Sequence, residues 1–233
     1  MDVCSEQRRF TIPAEKDVDF AVYNEFFLSE RPGVLLEIGA ARPDYLSIGA
    51  LFRKKGWRVI SIEPNPTFAS KHRELGHEIY EYACADADAD GVDFVIAEGD
   101  AVEYLGENVT AESFSSLGIR DAYKDLLSQV EEKFTLRTIK VSTRKLDTIL
   151  SYVENVTKID IIAVDVEGWE LECLKGFSFG PLAPKVAIIE NLFHDPRYVG
   201  FMKSHGYELW RVFEPNDVYL LTSSATAETK LLH

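Results

Sequence analysis

Short apolar runs alternate with amphipathic stretches along most of the chain. Val34-Leu35-Leu36-Glu37-Ile38 is an apolar run that ends beside a glycine, and apolar residues at helical spacing follow between Tyr45 and Lys55. Arg58 to Glu63 predicts a second strand closed by Pro64-Asn65-Pro66, Thr67 to Leu75 a helix stopped at Gly76, and Glu78 to Tyr82 a third strand. The rhythm returns later with a strand at Ile159 to Asp165, a helix at Trp169 to Lys175, a strand at Lys185 to Glu190 and a helix at Pro196 to His205. Tyr207 to Phe213 and Asp217 to Leu221 fit a closing antiparallel pair. Such runs are expected of parallel strands covered by helices on both faces, so the fold class is α/β and doubly wound.

Three stretches break the rhythm. Val18 to Ser29 predicts an N-terminal helical extension. Glu103 to Thr138 reads as a helical insertion over the sheet, clearest at Ala122 to Phe134, with Phe94-Val95-Ile96 as a small extra strand before it. Thr138 to Val141 is extended, and Lys145 to Val153 predicts a helix. The whole chain, residues 1–233, reads as one domain.

Charge narrows the partners. Asp plus Glu number 39 against 25 Lys plus Arg, a net charge of −14. A field of that sign repels phosphate backbones and anionic lipid, so neither nucleic acid nor a membrane surface is expected as partner. Three scattered cysteines (Cys4, Cys84 and Cys173) make no disulfide framework, and Met1 to Arg9 lacks the apolar core of an export signal. The expected location is cytoplasmic.

In an open parallel sheet, ligands bind outside the carboxyl ends of the strands. Those ends are Glu37-Ile38-Gly39-Ala40-Ala41, Glu63-Pro64-Asn65, Ala83-Cys84-Ala85-Asp86, Asp165-Val166-Glu167-Gly168 and Glu190-Asn191. Glu63, at the end of the second strand, suits a grip on the two ribose hydroxyls of an adenosine, because a carboxylate accepts from both. Gly39 and Ala40 remove bulk, so a cofactor can approach the backbone. The loop is not G-x-G-x-x-G, and acids at Glu37 and Asp44 would repel a pyrophosphate. A cationic, phosphate-free cofactor such as S-adenosylmethionine fits better than NAD.

Glu37-Ile38-Gly39-Ala40, Ile62 to Pro66, Lys145 to Leu150 and above all Asp165-Val166-Glu167-Gly168-Trp169-Glu170 with Leu174-Lys175-Gly176 resemble the FkbM family of S-adenosylmethionine-dependent methyltransferases. The similarity covers about Val34 to Leu192. It implies a seven-stranded, Rossmann-like class I methyltransferase sheet with an antiparallel last strand. The implied reaction moves a methyl group to a hydroxyl of a sugar or natural-product small molecule. Ala41 and Pro43 stand where the family carries Asn and a second Gly, and Ala163 where it often has Lys.

The expected donor ligands are Glu37, Gly39, Ala40, Ala41, Ser47, Glu63, Pro64, Asn65, Cys84, Ala85 and Asp165. Activation of an alcohol needs its proton removed or acidified. Two devices are open: a base, for which His194 is the one histidine well placed, or a divalent cation such as Mg²⁺ held by Asp165, Glu190 and Asn191. Asp165 and Glu167 join His194 as candidate catalytic residues, although both carboxylates also suit loop bracing. Trp169 is read as packing the start of its helix. A non-catalytic binding module, or a nucleotide-sugar or NAD enzyme on a related sheet, are the rival readings.

Overall fold

The computed structural model describes residues 14–43, 45–99, 102–104, 107–109, 114–128 and 134–222. Cys4, the Met1 to Arg9 segment and Asp44 lie outside them, so the export-signal reading and the repulsive part given to Asp44 have no structural counterpart.

In chain order the first half holds α1 (Val18–Phe26), β1 (Val34–Ile38), α2 (Ile48–Lys54), β2 (Arg58–Ile62), α3 (Pro66–Glu74), β3 (Glu78–Tyr80) and β4 (Ala83–Cys84). The middle holds β5 (Ala89–Gly99), β6 (Val102–Tyr104), β7 (Glu107–Val109), α4 (Asp121–Ser128), β8 (Phe134–Arg144) and α5 (Leu146–Tyr152). The last part holds β9 (Ile161–Val164), α6 (Glu170–Lys175), β10 (Val186–Glu190), α7 (Pro196–Ser204), β11 (Tyr207–Phe213) and β12 (Asn216–Leu221). Seven strands form the main sheet in the order β11-β12-β10-β9-β1-β2-β3. The neighbours from β10 to β3 are parallel, whereas β12 runs antiparallel to both β10 and β11. The chain thus winds outward from β1 in one direction through β2 and β3, then in the other through β9 and β10. The switch falls between β1 and β9, where a crevice opens at the strand ends.

Alternate residues of each strand serve different cores. Leu36, Ile38, Ile162 and Val164 pack with Ile149, Leu171, Leu174 and Met202 on one face. Leu35, Ile161, Ala163 and Ile188 pack with Val18, Val22, Phe27, Phe52 and Trp57 on the other. The N-terminal helix is therefore a cover for this second face and not an appendage, since Val18 and Val22 are wholly buried. Helix starts follow local chemistry. Pro66 and Pro196 occupy first-turn positions where a missing N–H is harmless, and the Asn65 and Asp195 side chains accept from Thr67 N and Arg197 N.

The segment 103–138 needs correction. Of the expected helical insertion, only Asp121–Ser128 is α-helix among the described residues. β6 and β7 pair as a short hairpin, and β5 and β8, each 11 residues long, pair antiparallel as a long ribbon. The Thr135 to Thr143 stretch is rich in β-branched residues, which favour a pleated strand and resist a helix. The ribbon is rooted in the body through β4, whose Ala83 and Cys84 pair parallel with Thr143 and Arg144 of β8. Among the described residues, no helix is long and apolar enough to cross a membrane.

Candidate active site

Two adjoining cavities open at the β1–β9 switch. The larger, 380 Å³, is lined by the Gly39–Arg42 loop, Asp165, Glu167, Glu190, Phe193 and His194, among others. The smaller, 60 Å³, is lined by Glu63, Pro64, Cys84, Phe94, Leu117 and Trp169, among others. Gly39, Ala41, Asp165 and Glu167 border both, so the two form one cleft divided by the tip of β1.

The loop after β1 is shaped by its neighbours. Gly39 has φ +74°, and a Cβ built there would overlap the Asp165 carbonyl oxygen. Glycine is thus required by the approach of β9 itself, before any ligand is considered. Gly39 and Ala40 donate their N–H groups to the Ile62 carbonyl, at 3.0 and 3.2 Å. Ala41 also takes a left-handed backbone, φ +41°.

Glu63 is buried at the carboxyl end of β2 and borders the smaller cavity. Its Oε2 accepts from Ala41 N at 2.8 Å and its Oε1 from Asn65 N at 2.7 Å. Each oxygen retains a second acceptor site. Burial pushes its pKa up to about 7, against the two backbone donors that favour the charged form. Pro64 and Cys84 line the same cavity, beside Phe94, Leu117 and Trp169. Asn65 is a buried helix cap, and Ala85 turns its carbonyl toward Gly176; neither side chain borders a cavity.

Glu37 and Ser47 border the larger cavity, but the Glu37 carboxylate is fully employed by the protein. Its Oε1 accepts from Ser47 Oγ and Gly49 N at 3.0 and 2.7 Å, and its Oε2 from Arg53 Nη2 and Ser61 Oγ at 2.9 and 3.0 Å. Burial pushes its pKa up, but the Arg53 guanidinium and these donors outweigh that and hold it below the usual range. A carboxylate with about four acceptor sites has none left for a ligand. This pair fastens α2 to β1 and β2.

Four carboxyls gather at the ends of β9 and β10. Ligand atoms of Asp165, Glu170 and Glu190 lie within 4.8 Å of one another, and Glu167 (φ +57°) borders the cleft beside them. Asp165 is the accessible member, facing both cavities. Glu170 Oε1 accepts from Val166 N and Gly168 N, both at 3.0 Å, and its Oε2 from the Tyr198 hydroxyl at 2.6 Å. Glu190 Oε2 accepts from the Tyr123 hydroxyl at 3.2 Å, and a carboxylate oxygen of Glu190 lies within 4.8 Å of one of Asp165. Burial first, and then repulsion by neighbouring acids, raise the pKa of Asp165, Glu167 and Glu190: Glu15 and Glu170 act on Asp165, Asp165 and Glu170 on Glu167, and Asp165, Glu167 and Glu170 on Glu190.

Asn191 does not join this group. Its Oδ1 accepts from Asp195 N at 2.8 Å and its Nδ2 donates to Asp217 Oδ2 at 2.8 Å, which braces the turn into α7. Glu170 stands in the cluster where the sequence suggests Asn191. His194 sits at the rim of the larger cavity, its side chain 60% exposed and its Nε2 3.3 Å from Glu214 Oε2.

Several contributors escape sequence reasoning. Trp169 packs at its helix start as expected, but it also walls the smaller cavity, donates from Nε1 to Gly118 O at 2.8 Å and carries the Arg120 guanidinium over its ring at 3.7 Å. Tyr123 lies against Gly168, where an added Cβ would be 2.8 Å from its ring, and stacks edge-on with Phe193 at 5.0 Å. Arg120 and Tyr123 come from the segment read as an insertion over the sheet, and the one signal in sequence for their place at the cleft is the Gly168-Trp169 pair.

Comparison with curated proteins gives no match to this chain. The family profile described as the methyltransferase FkbM domain matches residues 37–209, a span that contains the carboxyl end of β1, β2, the acid-bearing ends of β9 and β10, and both cavities' principal walls. With most of its length inside that match and the seven-stranded sheet and strand-end cleft in place, the chain belongs to the FkbM methyltransferase family.

Proposed function

We propose that the chain is an S-adenosylmethionine-dependent O-methyltransferase acting on a hydroxyl of a sugar or other natural-product small molecule, not on nucleic acid. The observation that carries this reading is Glu63: a buried carboxylate at the end of β2, oriented by two backbone N–H groups, on the wall of a small cavity lined mainly by apolar and aromatic residues. Such a wall accepts a flat adenine, and the remaining lone pairs of Glu63 accept from a ribose diol. The donor fits the residues present, because the larger cavity beside it offers the carboxyl groups of Asp165, Glu167 and Glu190 to a cation. When bound, the donor supplies an electrophilic methyl carbon on a sulfonium sulfur.

The chain's residues do the rest. Glu63, Pro64 and Cys84 would hold the nucleoside end, and the Gly39–Ala41 backbone would border the amino-acid end. Asp165, with its pKa raised toward neutrality and Glu190 beside it, would accept the proton of the acceptor hydroxyl, and Glu167 would border the acceptor. Holding oxygen, carbon and sulfur in line is an orientation effect and needs the cleft to stay rigid. His194, exposed and paired with Glu214, serves the rim better than the proton transfer.

A metal-assisted version rests on the proximity of Asp165, Glu170 and Glu190. Asp165 and Glu190 with water would satisfy Mg²⁺, which needs only one or two carboxylates, whereas the Glu170 oxygens are already hydrogen-bonded. Activity unchanged by EDTA would remove that version.

Thermal shift tests the donor. S-adenosylhomocysteine should raise the melting temperature and NAD should not, since only a ligand of the folded state stabilises it. Glu63→Ala should weaken S-adenosylhomocysteine binding about 10- to 100-fold, the loss expected for hydrogen bonds to a charged group. Stabilisation by NAD alone, or an unchanged response in Glu63→Ala, would end this assignment. Asp165→Asn should lower kcat by about 100-fold or more.

A further inference from the structure

The loop that borders both cavities is gripped at one residue from two sides. Ala41 holds a left-handed backbone, a conformation that costs an L-residue energy and persists only where its surroundings enforce it. Its N–H donates to Glu63 Oε2 at 2.8 Å. Its carbonyl oxygen lies 3.2 Å from Nε2 of His72, a wholly buried side chain on α3. On the far side of that ring, Nδ1 lies 3.1 Å from Nδ1 of His77.

These contacts fix the proton positions. A carbonyl can only accept, so His72 Nε2 carries a hydrogen. In a neutral ring Nδ1 is then bare and accepts, which makes His77 Nδ1 the donor. Burial lowers the pKa of both rings, opposed at His72 by Glu37 and aided by Arg53, so both are neutral near pH 7. His77, His72, Ala41 and Glu63 thus form one directed chain of hydrogen bonds that ends on the ribose-facing carboxylate.

We propose that His72 is a positioning residue for the methyl donor: its Nε2–H, set in that tautomer by His77, locks Ala41 so that the loop and Glu63 present a preformed donor site. His72 borders neither cavity, so its influence on the site runs through Ala41. The proposal rests on the donor reading of the cleft given above.

Three preparations test it with S-adenosylhomocysteine as probe, by calorimetry, together with the nitrogen-detected tautomer state of the histidines in the ligand-free protein. The unaltered chain should bind the probe and show His72 as the Nε2–H form with His77 as the Nδ1–H form. His72→Leu, which leaves the Ala41 carbonyl unpaired, should bind about tenfold more weakly. His72→Gln, whose amide N–H can reach the same carbonyl, should recover most of that affinity. In turnover, His72→Leu should raise KM for the donor and leave kcat within about twofold, the signature of lost ground-state positioning.

Should the leucine variant fail to fold, His77→Ala, half exposed at its own ring, removes the tautomer lock and should still weaken probe binding. No binding by the unaltered chain would overturn the donor reading itself. Normal binding by that chain, with equal affinity in His72→Leu, would overturn only the positioning role. A glutamine variant as weak as the leucine variant, or an Nδ1–H form of His72, would do the same.

Discussion

Gly39 and Glu37 stand two positions apart and do different things: one makes room, the other fastens the frame. An alanine at Gly39 would have to keep φ near +74° with its Cβ on the Asp165 carbonyl. The backbone conformation alone costs about 1–2 kcal/mol, and relief of the overlap must displace the end of β9. Gly39→Ala should therefore lower unfolding free energy by more than about 2 kcal/mol in denaturant titration. A loss below about 0.5 kcal/mol would mean that the loop relaxes freely. The sequence reading credits this glycine with cofactor access, and the need for it arises first from the approach of a neighbouring strand. Glu37 carries the matching lesson. A carboxylate at a strand end looks alike in sequence whether it meets a ligand or its own chain, and the donors that claim it, Ser47, Gly49, Arg53 and Ser61, become its neighbours only once α2 has packed.

At the scale of elements, α4 and the turn before it are pinned to the start of α6 by side chains. Trp169 Nε1 donates to Gly118 O, Arg120 stacks on that indole and pairs with Glu172 at 2.9 Å, and Tyr123 reaches across to Glu190. Trp169→Phe removes the N–H and weakens the stacking, which together amount to about 1–2 kcal/mol. Limited proteolysis should then cut near 114–124 several times faster than in the unaltered chain, and an equal rate would show that α4 is held by other contacts. The parallel strands and their helices were legible because each is built from its own local pattern of period two or near four. The ribbon was legible only in fragments, Phe94-Val95-Ile96 and Thr138 to Val141. β5 and β8 pair Ala97 with Leu136 and Phe94 with Ile139, partners about forty positions apart, and the first half of β8, largely exposed, writes no regular alternation of apolar and polar residues. The walls that this region gives to the smaller cavity, Phe94 and Leu117, were hidden with it.

For the molecule as a whole, acid is concentrated where ligand is expected. Glu63, Asp165, Glu167 and Glu190 have pKa values above those of free carboxyls, with Glu63 at about 7 and Asp165 at about 8. Groups that hold protons more tightly when folded stabilise less as pH rises from their unfolded values through their folded ones. His72 and His77 are shifted down, so their opposite effect is confined below the ordinary histidine value. Ligand-free protein should therefore lose melting temperature between about pH 6.5 and pH 8.5, and saturating S-adenosylhomocysteine should flatten that slope as its ammonium group stabilises the charged acids. A flat profile without ligand would mean that the cluster is ionised throughout. The strand-end acids themselves were readable from sequence, since the sheet order dictates which ends meet; their raised pKa values were not, because these also depend on Glu170 and Glu15, which reach the cluster from α6 and from the turn before α1. The ribbon adds one mechanical consequence. β8 runs unbroken for 11 residues, roughly 35 Å at the rise of an extended chain, and its last pairing is to Cys84, which lines the smaller cavity. A load that bends the ribbon is therefore delivered as torque to a wall of that cavity.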